Sequence, residues 1–270
     1  MTSTPESAEP PVRLLDLTLP LDHDWMPDEA VPTAASFVVA PQTHPDKGFL
    51  IGTETGTCLT LPAQFDEHRT TRRLHEIAAD ALVLRPTVLL DVAADEDVTI
   101  AAGAIQRALG TLSLERGDAL LLRTGWGDHG RERHGGSRYL LHGPRLSLEA
   151  ARALAEFMRG RGSDLLLTDL ALIAHLDAHQ VPEWTALLPR PRPYPSPESQ
   201  TYLHLYRPQQ AEADYAVARI FAAAGIMTVK RLVGCGTLAS PRFRVIVGPL
   251  HLVRGVGATC RVIAVEGGTR

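Results

Sequence analysis

Apolar positions along this chain switch between a period of two and a period near 3.6, and the switches predict a mixed α/β order. From Val12 to Leu21 (V-R-L-L-D-L-T-L-P-L) a strand pattern runs into a proline. Residues 34–53 predict further strand material around a turn at Pro45-Asp46-Lys47-Gly48. The stretch Glu54 to Gln64 (E-T-G-T-C-L-T-L-P-A-Q) predicts an extended segment. Alternate residues of such a segment face the same side, so Glu54, Thr60 and Gln64 would share a side with Gly56, Cys58 and Pro62. A short helix is predicted from Thr70 to Asp80, a strand from Pro86 to Val92, and a helix from Ile100 to Leu109. Gly117 to Trp126 predicts a turn entering a buried strand. Ser147 is a good N-cap for a helix reaching Gly160, and Asp164 to Asp169 reads as a strand. The last third predicts a helix from Asp214 to Ala224 and strands at Gly225–Leu232, Phe243–Leu250 and after Gly255-Val256-Gly257. Those glycines suit a tight turn; no P-loop, no dinucleotide fingerprint and no internal repeat is visible.

One stretch breaks the pattern. Residues 181–209 carry Pro182, Pro189, Pro191, Pro193, Pro195, Pro197 and Pro208, interleaved with Arg190, Arg192, Tyr194, Tyr202, Tyr206 and Arg207. This predicts a long irregular loop, with two readings open: a surface or oligomer contact, or a lid over a substrate. Residues 1–11, rich in Pro, Ser, Thr and Glu, predict a disordered tail, leaving 12–270 as a single domain.

Composition narrows the classes. Among 270 residues, 44% are hydrophobic and 21% charged, which is ordinary for a soluble globular protein. A net charge of −4 gives no reason to expect a nucleic-acid partner. Lys47 and Lys230 are the only lysines among 27 basic residues, so a lysine near a pocket is notable. The 3 cysteines, Cys58, Cys235 and Cys260, form no C-x-x-C pair, which argues against structural zinc and fits a reducing cytoplasm. The N-terminus lacks signal-peptide character, and no apolar run approaches the ~20 residues of a membrane span. The expectation is a cytoplasmic protein with a small-molecule substrate, forming a homodimer and binding neither nucleic acid nor membrane.

Three phrases carry a resemblance: D-L-T-L-P-L from Asp16, G-D-A-L-L-L-R-T-G-W from Gly117, and the closing G-V-G-A with R-V-I-A at Arg261. With the Gly56–Thr57 and Pro62 frame, the chain resembles, over roughly residues 12–266, the cyclase family that includes bacterial kynurenine formamidase. The resemblance implies an α/β fold with a mixed β-sheet of the swivelling β/β/α type flanked by helices. It also implies metal-dependent hydrolysis through a segment H-x-G-T-H-x-D-x-P-x-H, a later Glu, and a His twelve residues before that Glu. Here Glu54, Cys58, Thr60 and Gln64 stand at the first His, second His, Asp and third His. Lys230 and Ala218 stand at the Glu and the later His.

Divalent ions bind converging imidazole, carboxylate or thiolate groups. Thr60, Gln64, Ala218 and Lys230 are poor or impossible ligands, so no metal and no other cofactor is expected. His175 and His179 have i, i+4 spacing but no evident third ligand, and are more simply surface or packing residues. His68 could swing in as a base or be a solvated loop residue. Cys58 could be a nucleophile or an inert buried residue. What remains is a relined pocket: Glu54, Thr60, Gln64 and Lys230 as candidate catalytic residues, and Trp25, Cys58, His68, Trp126, Tyr194 and Tyr202 as candidate substrate contacts. Glu54 and Lys230 should converge, as both positions would point at one centre. The reading is a metal-independent enzyme of specialised-metabolite, polyketide-like biosynthesis that closes a ring, eliminates or isomerises. The alternatives are a metal-dependent amide or lactone hydrolase and a non-catalytic binding protein.

Overall fold

The computed structural model describes residues 11–20, 56–66, 71–131, 139, 142–171 and 208–267. Ten strands are described: β1 (Arg13–Asp16), β2 (Cys58–Thr60), β3 (Arg85–Asp91), β4 (Thr99–Ile100), β5 (Ala119–Arg123), β6 (Arg145–Leu146), β7 (Leu165–Thr168), β8 (Met227–Lys230), β9 (Arg242–Pro249) and β10 (Gly257–Glu266). Three α-helices accompany them: α1 (Ala102–Leu109), α2 (Leu148–Gly160) and α3 (Pro208–Ala223).

Eight strands form one sheet in the order β1-β10-β2-β8-β7-β5-β3-β9, and β10 also pairs with β9. That last pairing closes the sheet into a barrel-like ring. Strands β3, β5, β7 and β8 run parallel to one another, while β2, β9 and β10 close the ring through antiparallel pairings. Strand alternation then separates two cores. Leu59, Ala119, Leu121, Leu165, Leu167, Val229, Val245, Val247 and Val262 fill the interior. Their neighbours Val88, Leu90, Leu120, Leu122 and Leu166 face outward into a second cluster with Ile105, Leu154, Met158 and Phe221 of the helices. Strands buried on both faces explain why L-L-L in β5 and β7 shows no alternation in hydrophobicity. Truncating one of these leucines to alanine costs about 2–5 kcal/mol.

Local chemistry accounts for the element ends. The Ser147 hydroxyl accepts from the Ala150 N–H at 3.1 Å and caps α2, as the sequence predicts. Helix α3 begins at Pro208, six residues before the predicted start, because proline needs no N–H partner in a first helical turn. The irregular stretch therefore ends before Pro208; the rest of 181–209 lies outside the described residues. Two expectations are corrected. The extended reading of Glu54–Gln64 ends at Thr60: Pro62–Phe65 is a 3-10 turn, closed by the Gln64 N–H on the Leu61 carbonyl at 3.0 Å. The proline fixes φ for that turn, so Gln64 does not share a strand face with Thr60. The helix expected over Thr70–Asp80 is instead two 3-10 turns, Leu74–Glu76 and Ala79–Ala81. Glu76 folds back to accept from the Arg73 N–H, and the chain re-extends at Ile77. Near the C-terminus, Gly255 lies in a turn closed on the Leu252 carbonyl. Gly257 instead begins β10, where a Cβ would lie 2.6 Å from the Leu59 carbonyl oxygen.

Candidate functional site

Strands β2 and β8 place the first part of the site. Their antiparallel register sets Cys58 opposite Lys230, Leu59 opposite Val229 and Thr60 opposite Thr228. Leu59 and Val229 belong to the barrel core, so Cys58, Thr60, Thr228 and Lys230 project from the other face. Cys58 is fully buried, Lys230 half-buried, and Thr60 only 7% exposed. Among the described residues the Thr60 hydroxyl has no hydrogen-bond partner, an unfavourable state for a buried polar atom. Lys230 sits diagonally from Thr60 in the register, a separation of about 7–8 Å that a long side chain can span.

Arg231 follows Lys230 and breaks the alternation. Strand geometry would send it into the apolar interior, but its φ of 65° turns it back toward Cys58, and Leu232 takes the interior place. A non-glycine residue in this region costs about 1–3 kcal/mol and persists only where its surroundings fix it. They do so here. The Arg231 N–H donates to the Leu170 carbonyl at 3.1 Å. Its own carbonyl accepts from the Thr57 hydroxyl at 2.7 Å, and that hydroxyl accepts from the Leu19 N–H at 2.8 Å. The guanidinium, 1% exposed, donates from Nε to the Ala171 carbonyl at 3.0 Å and from Nη1 to the Gly56 carbonyl at 3.2 Å. Nη1 also stands 3.6 Å from the Cys58 Sγ. The Gly56–Thr57 pair thus holds the end of β8: Gly56 takes the left-handed turn at φ 60°, and Thr57 bridges two backbones.

Asp169, just beyond β7, organises the neighbouring turn. Its carboxylate accepts from the Thr124 N–H, the Thr124 hydroxyl and the Gly125 N–H, each at 2.8 Å, and from the Gly127 N–H at 3.4 Å. Burial pushes the Asp169 carboxyl above the ordinary aspartate value, against the pull of those hydrogen bonds. The Tyr139 hydroxyl donates to the Asp169 carbonyl at 3.3 Å, and burial, then the nearby Asp169 charge, pushes its phenol well above the usual range. Burial likewise raises the Cys260 thiol on the interior face. The 3-10 turn Trp126–Arg131 packs so closely on the segment after β8 that a Cβ at Gly127 would meet the Leu232 carbonyl oxygen at 2.3 Å.

Of the residues singled out from sequence, Cys58, Thr60 and Lys230 come together on the β2–β8 face. Gln64 lies half-buried on the 3-10 turn after β2. Trp126 is buried, and its indole N–H donates to the Tyr139 carbonyl at 2.8 Å. Glu54, Trp25, His68, Tyr194 and Tyr202 lie outside the described residues, as do His175 and His179. Sequence reasoning missed Arg231, Asp169, Tyr139 and the anchoring role of Thr57. The signals were slight: an arginine directly after Lys230, and an aspartate at a strand end.

The residues present do not fit a divalent metal at this face. Among the described positions where the resemblance implies ligands, only Cys58 could ligate. Thr60 is a neutral hydroxyl, Lys230 brings an ammonium opposite Cys58, and the Arg231 guanidinium already adjoins the sulfur. Among the described residues, the one group with metal-ligating geometry is Glu96, Asp97 and His142, all exposed and on other elements. Arg145 approaches that group, 3.7 Å from Asp97.

Comparison with known proteins places this architecture. The chain aligns over 94% of its length with isatin hydrolase A from Ralstonia solanacearum, covering 92% of that chain at 20% identity and a TM-score of 0.64. It aligns over 96% of its length with a potential metal-dependent hydrolase with cyclase activity, covering 100% of that chain at 17% identity and a TM-score of 0.60. An isatin hydrolase bound to the product analogue thioisatinate gives a TM-score of 0.66 at 14% identity, over 95% of this chain and 93% of that one. At such identities the likeness shows the fold. A search of curated proteins finds no match. No helix among the described residues is long and apolar enough to cross a membrane. The model of the "Putative cyclase" family matches residues 15–170, more than half of the chain, and the protein belongs to that family.

Proposed function

We propose that this protein is a metal-independent enzyme that closes a ring, eliminates or isomerises, acting in the cytoplasm as a homodimer on a small specialised metabolite of polyketide type. One observation carries the reading. Where the family resemblance implies ligands around a metal cation, this chain sets Lys230 opposite Cys58 and places the Arg231 guanidinium 3.6 Å from the Cys58 sulfur. Cations built into the protein replace the charge that a metal would bring, and they do so without a site for metal-activated water. Such a lining polarises a substrate oxygen and holds a flexible substrate in a reactive shape, where positioning alone is worth about 7–11 kcal/mol. In this reading Lys230 polarises the oxygen and Glu54, outside the described residues, exchanges a proton. The second reading, a metal-dependent amide or lactone hydrolase, draws its support from fold neighbours described as hydrolases.

The test is turnover of a panel of carbonyl compounds, amides and lactones by chelator-dialysed protein, with metal content measured by elemental analysis. The expected result is ring closure, elimination or isomerisation unaffected by chelator, falling by about 10²-fold or more in folded Lys230→Met and Glu54→Gln variants. Hydrolysis that is lost on chelation and restored by about one zinc or manganese per chain would establish the second reading instead.

A further inference from the structure

The unpartnered hydroxyl of Thr60 is the feature of this face that the fold alone does not explain. It is buried, it lies on the outward side of β2, and it gives up a hydrogen bond that the unfolded chain makes with water. Thr228, opposite it, is also buried and does not satisfy it. Two residues along β8, on the same face, stands Lys230. An ammonium has three N–H donors and no acceptor, so a ligand oxygen is the kind of group that Lys230 recognises. Arg231, next in the chain, donates from Nε and Nη1 to the Ala171 and Gly56 carbonyls, which fixes its charge beside Cys58.

We propose that the Thr60 hydroxyl and the Lys230 ammonium form a two-donor oxyanion site, and that its ligand is a small enolisable carbonyl compound held as its enolate. This rests on the metal-independent reading above and deepens it. Ring closure at carbon, elimination beside a carbonyl and keto–enol isomerisation share one electronic demand. When a proton leaves the carbon next to a carbonyl, the electron pair comes to rest on the carbonyl oxygen. Donors aimed at that oxygen in a water-poor site stabilise the charge as it develops. A hydroxyl and an ammonium one cross-strand diagonal apart suit a single oxygen between them. A fixed guanidinium beside Cys58, the register partner of Lys230, favours the anion over its neutral parent.

A phenolate is a stable mimic of an enolate oxygen, so binding can be read without knowing the substrate. The full chain is titrated, at mildly alkaline pH, with 4-nitrophenolate and separately with nitrobenzene, its uncharged analogue. We expect the phenolate to bind at least about tenfold more tightly than nitrobenzene, the scale of a hydrogen bond to a charged group. Lys230→Met should remove that preference and leave nitrobenzene binding unchanged. Thr60→Val should weaken phenolate about 3- to 10-fold while raising the thermal midpoint of the free protein, because it deletes an unpaired buried hydroxyl. A purely structural threonine would not give opposite signs in binding and stability. Equal binding of the two probes overturns the proposal, as does phenolate binding that neither variant weakens. Should Lys230→Met fail to fold, Thr60→Val decides. Phenolate selectivity in a protein that turns over nothing would keep the oxyanion site and remove the enzyme reading. Chelator-resistant turnover without selectivity would do the reverse.

Discussion

Replacing Asp169 by asparagine tests whether the buried carboxylate organises the turn beside the site. One carboxylate oxygen accepts from the Thr124 N–H and hydroxyl; the other accepts from the Gly125 and Gly127 N–H groups. An asparagine has one acceptor oxygen, and its NH2 must face at least one of these backbone donors. If the NH2 takes the first position, the Thr124 hydroxyl can rotate to accept but the Thr124 N–H is stranded. If it takes the second, Gly125 loses its partner outright. Each buried donor left unpaired costs about 1–3 kcal/mol. The expected loss is about 2 kcal/mol, or roughly 4–8 °C in the thermal midpoint of a chain of this size. Urea unfolding of Asp169→Asn against the parent measures it. The pH dependence gives a second handle. Because burial raises the Asp169 carboxyl above its ordinary value of 3.8, this group favours the fold most when protonated. Its contribution is full below that value and is lost as pH rises through the folded pKa. Asparagine does not titrate, so the deficit of the variant should narrow from acid toward neutral pH. A deficit below about 0.5 kcal/mol, or one that widens toward neutral pH, would refute the reasoning.

Substitutions at two further positions probe the frame. The near-isosteric Thr57→Val removes the hydroxyl that joins the Leu19 N–H to the Arg231 carbonyl, and should cost about 1–3 kcal/mol in urea unfolding; Thr57→Ser, which keeps the hydroxyl, should recover most of it. Gly127→Ala should cost about 1–3 kcal/mol or prevent folding, since its methyl would meet backbone oxygen at Leu232 and the Asp169 Cβ rather than a yielding side-chain tip; a midpoint equal to the parent's would contradict that packing.

Much of the fold was legible where local chemistry and tertiary context agree. Ser147 capped its helix, and G-D-A-L-L-L-R entered a strand where the apolar run predicts one. Legibility failed where two local rules compete. Pro62 both fits the end of an extended run and fixes φ for a turn, and the Leu61 carbonyl decided in favour of the turn. Glu76 looks like a residue of good helix propensity, but its side chain bonds the Arg73 N–H and closes a single 3-10 turn.

The site divides in the same way. The sequence alone determined that a Gly-Thr…Pro frame is kept while cationic and neutral side chains stand at positions where the resemblance implies ligands. That follows from residue identity, and Lys230 and Thr60 could be named from it. The tertiary structure alone decided that Cys58 and Lys230 are register partners, and that the buried Arg231 guanidinium stands 3.6 Å from the sulfur. No periodicity rule foresees this, because a strand pattern assigns Arg231 to the barrel interior. Its left-handed φ is set by hydrogen bonds to the Leu170, Ala171 and Gly56 carbonyls and from the Thr57 hydroxyl, on residues between 60 and 175 positions away along the chain. A strained residue held by distant partners is written in three dimensions, where the sum of those bonds exceeds the local preference that a sequence window can read.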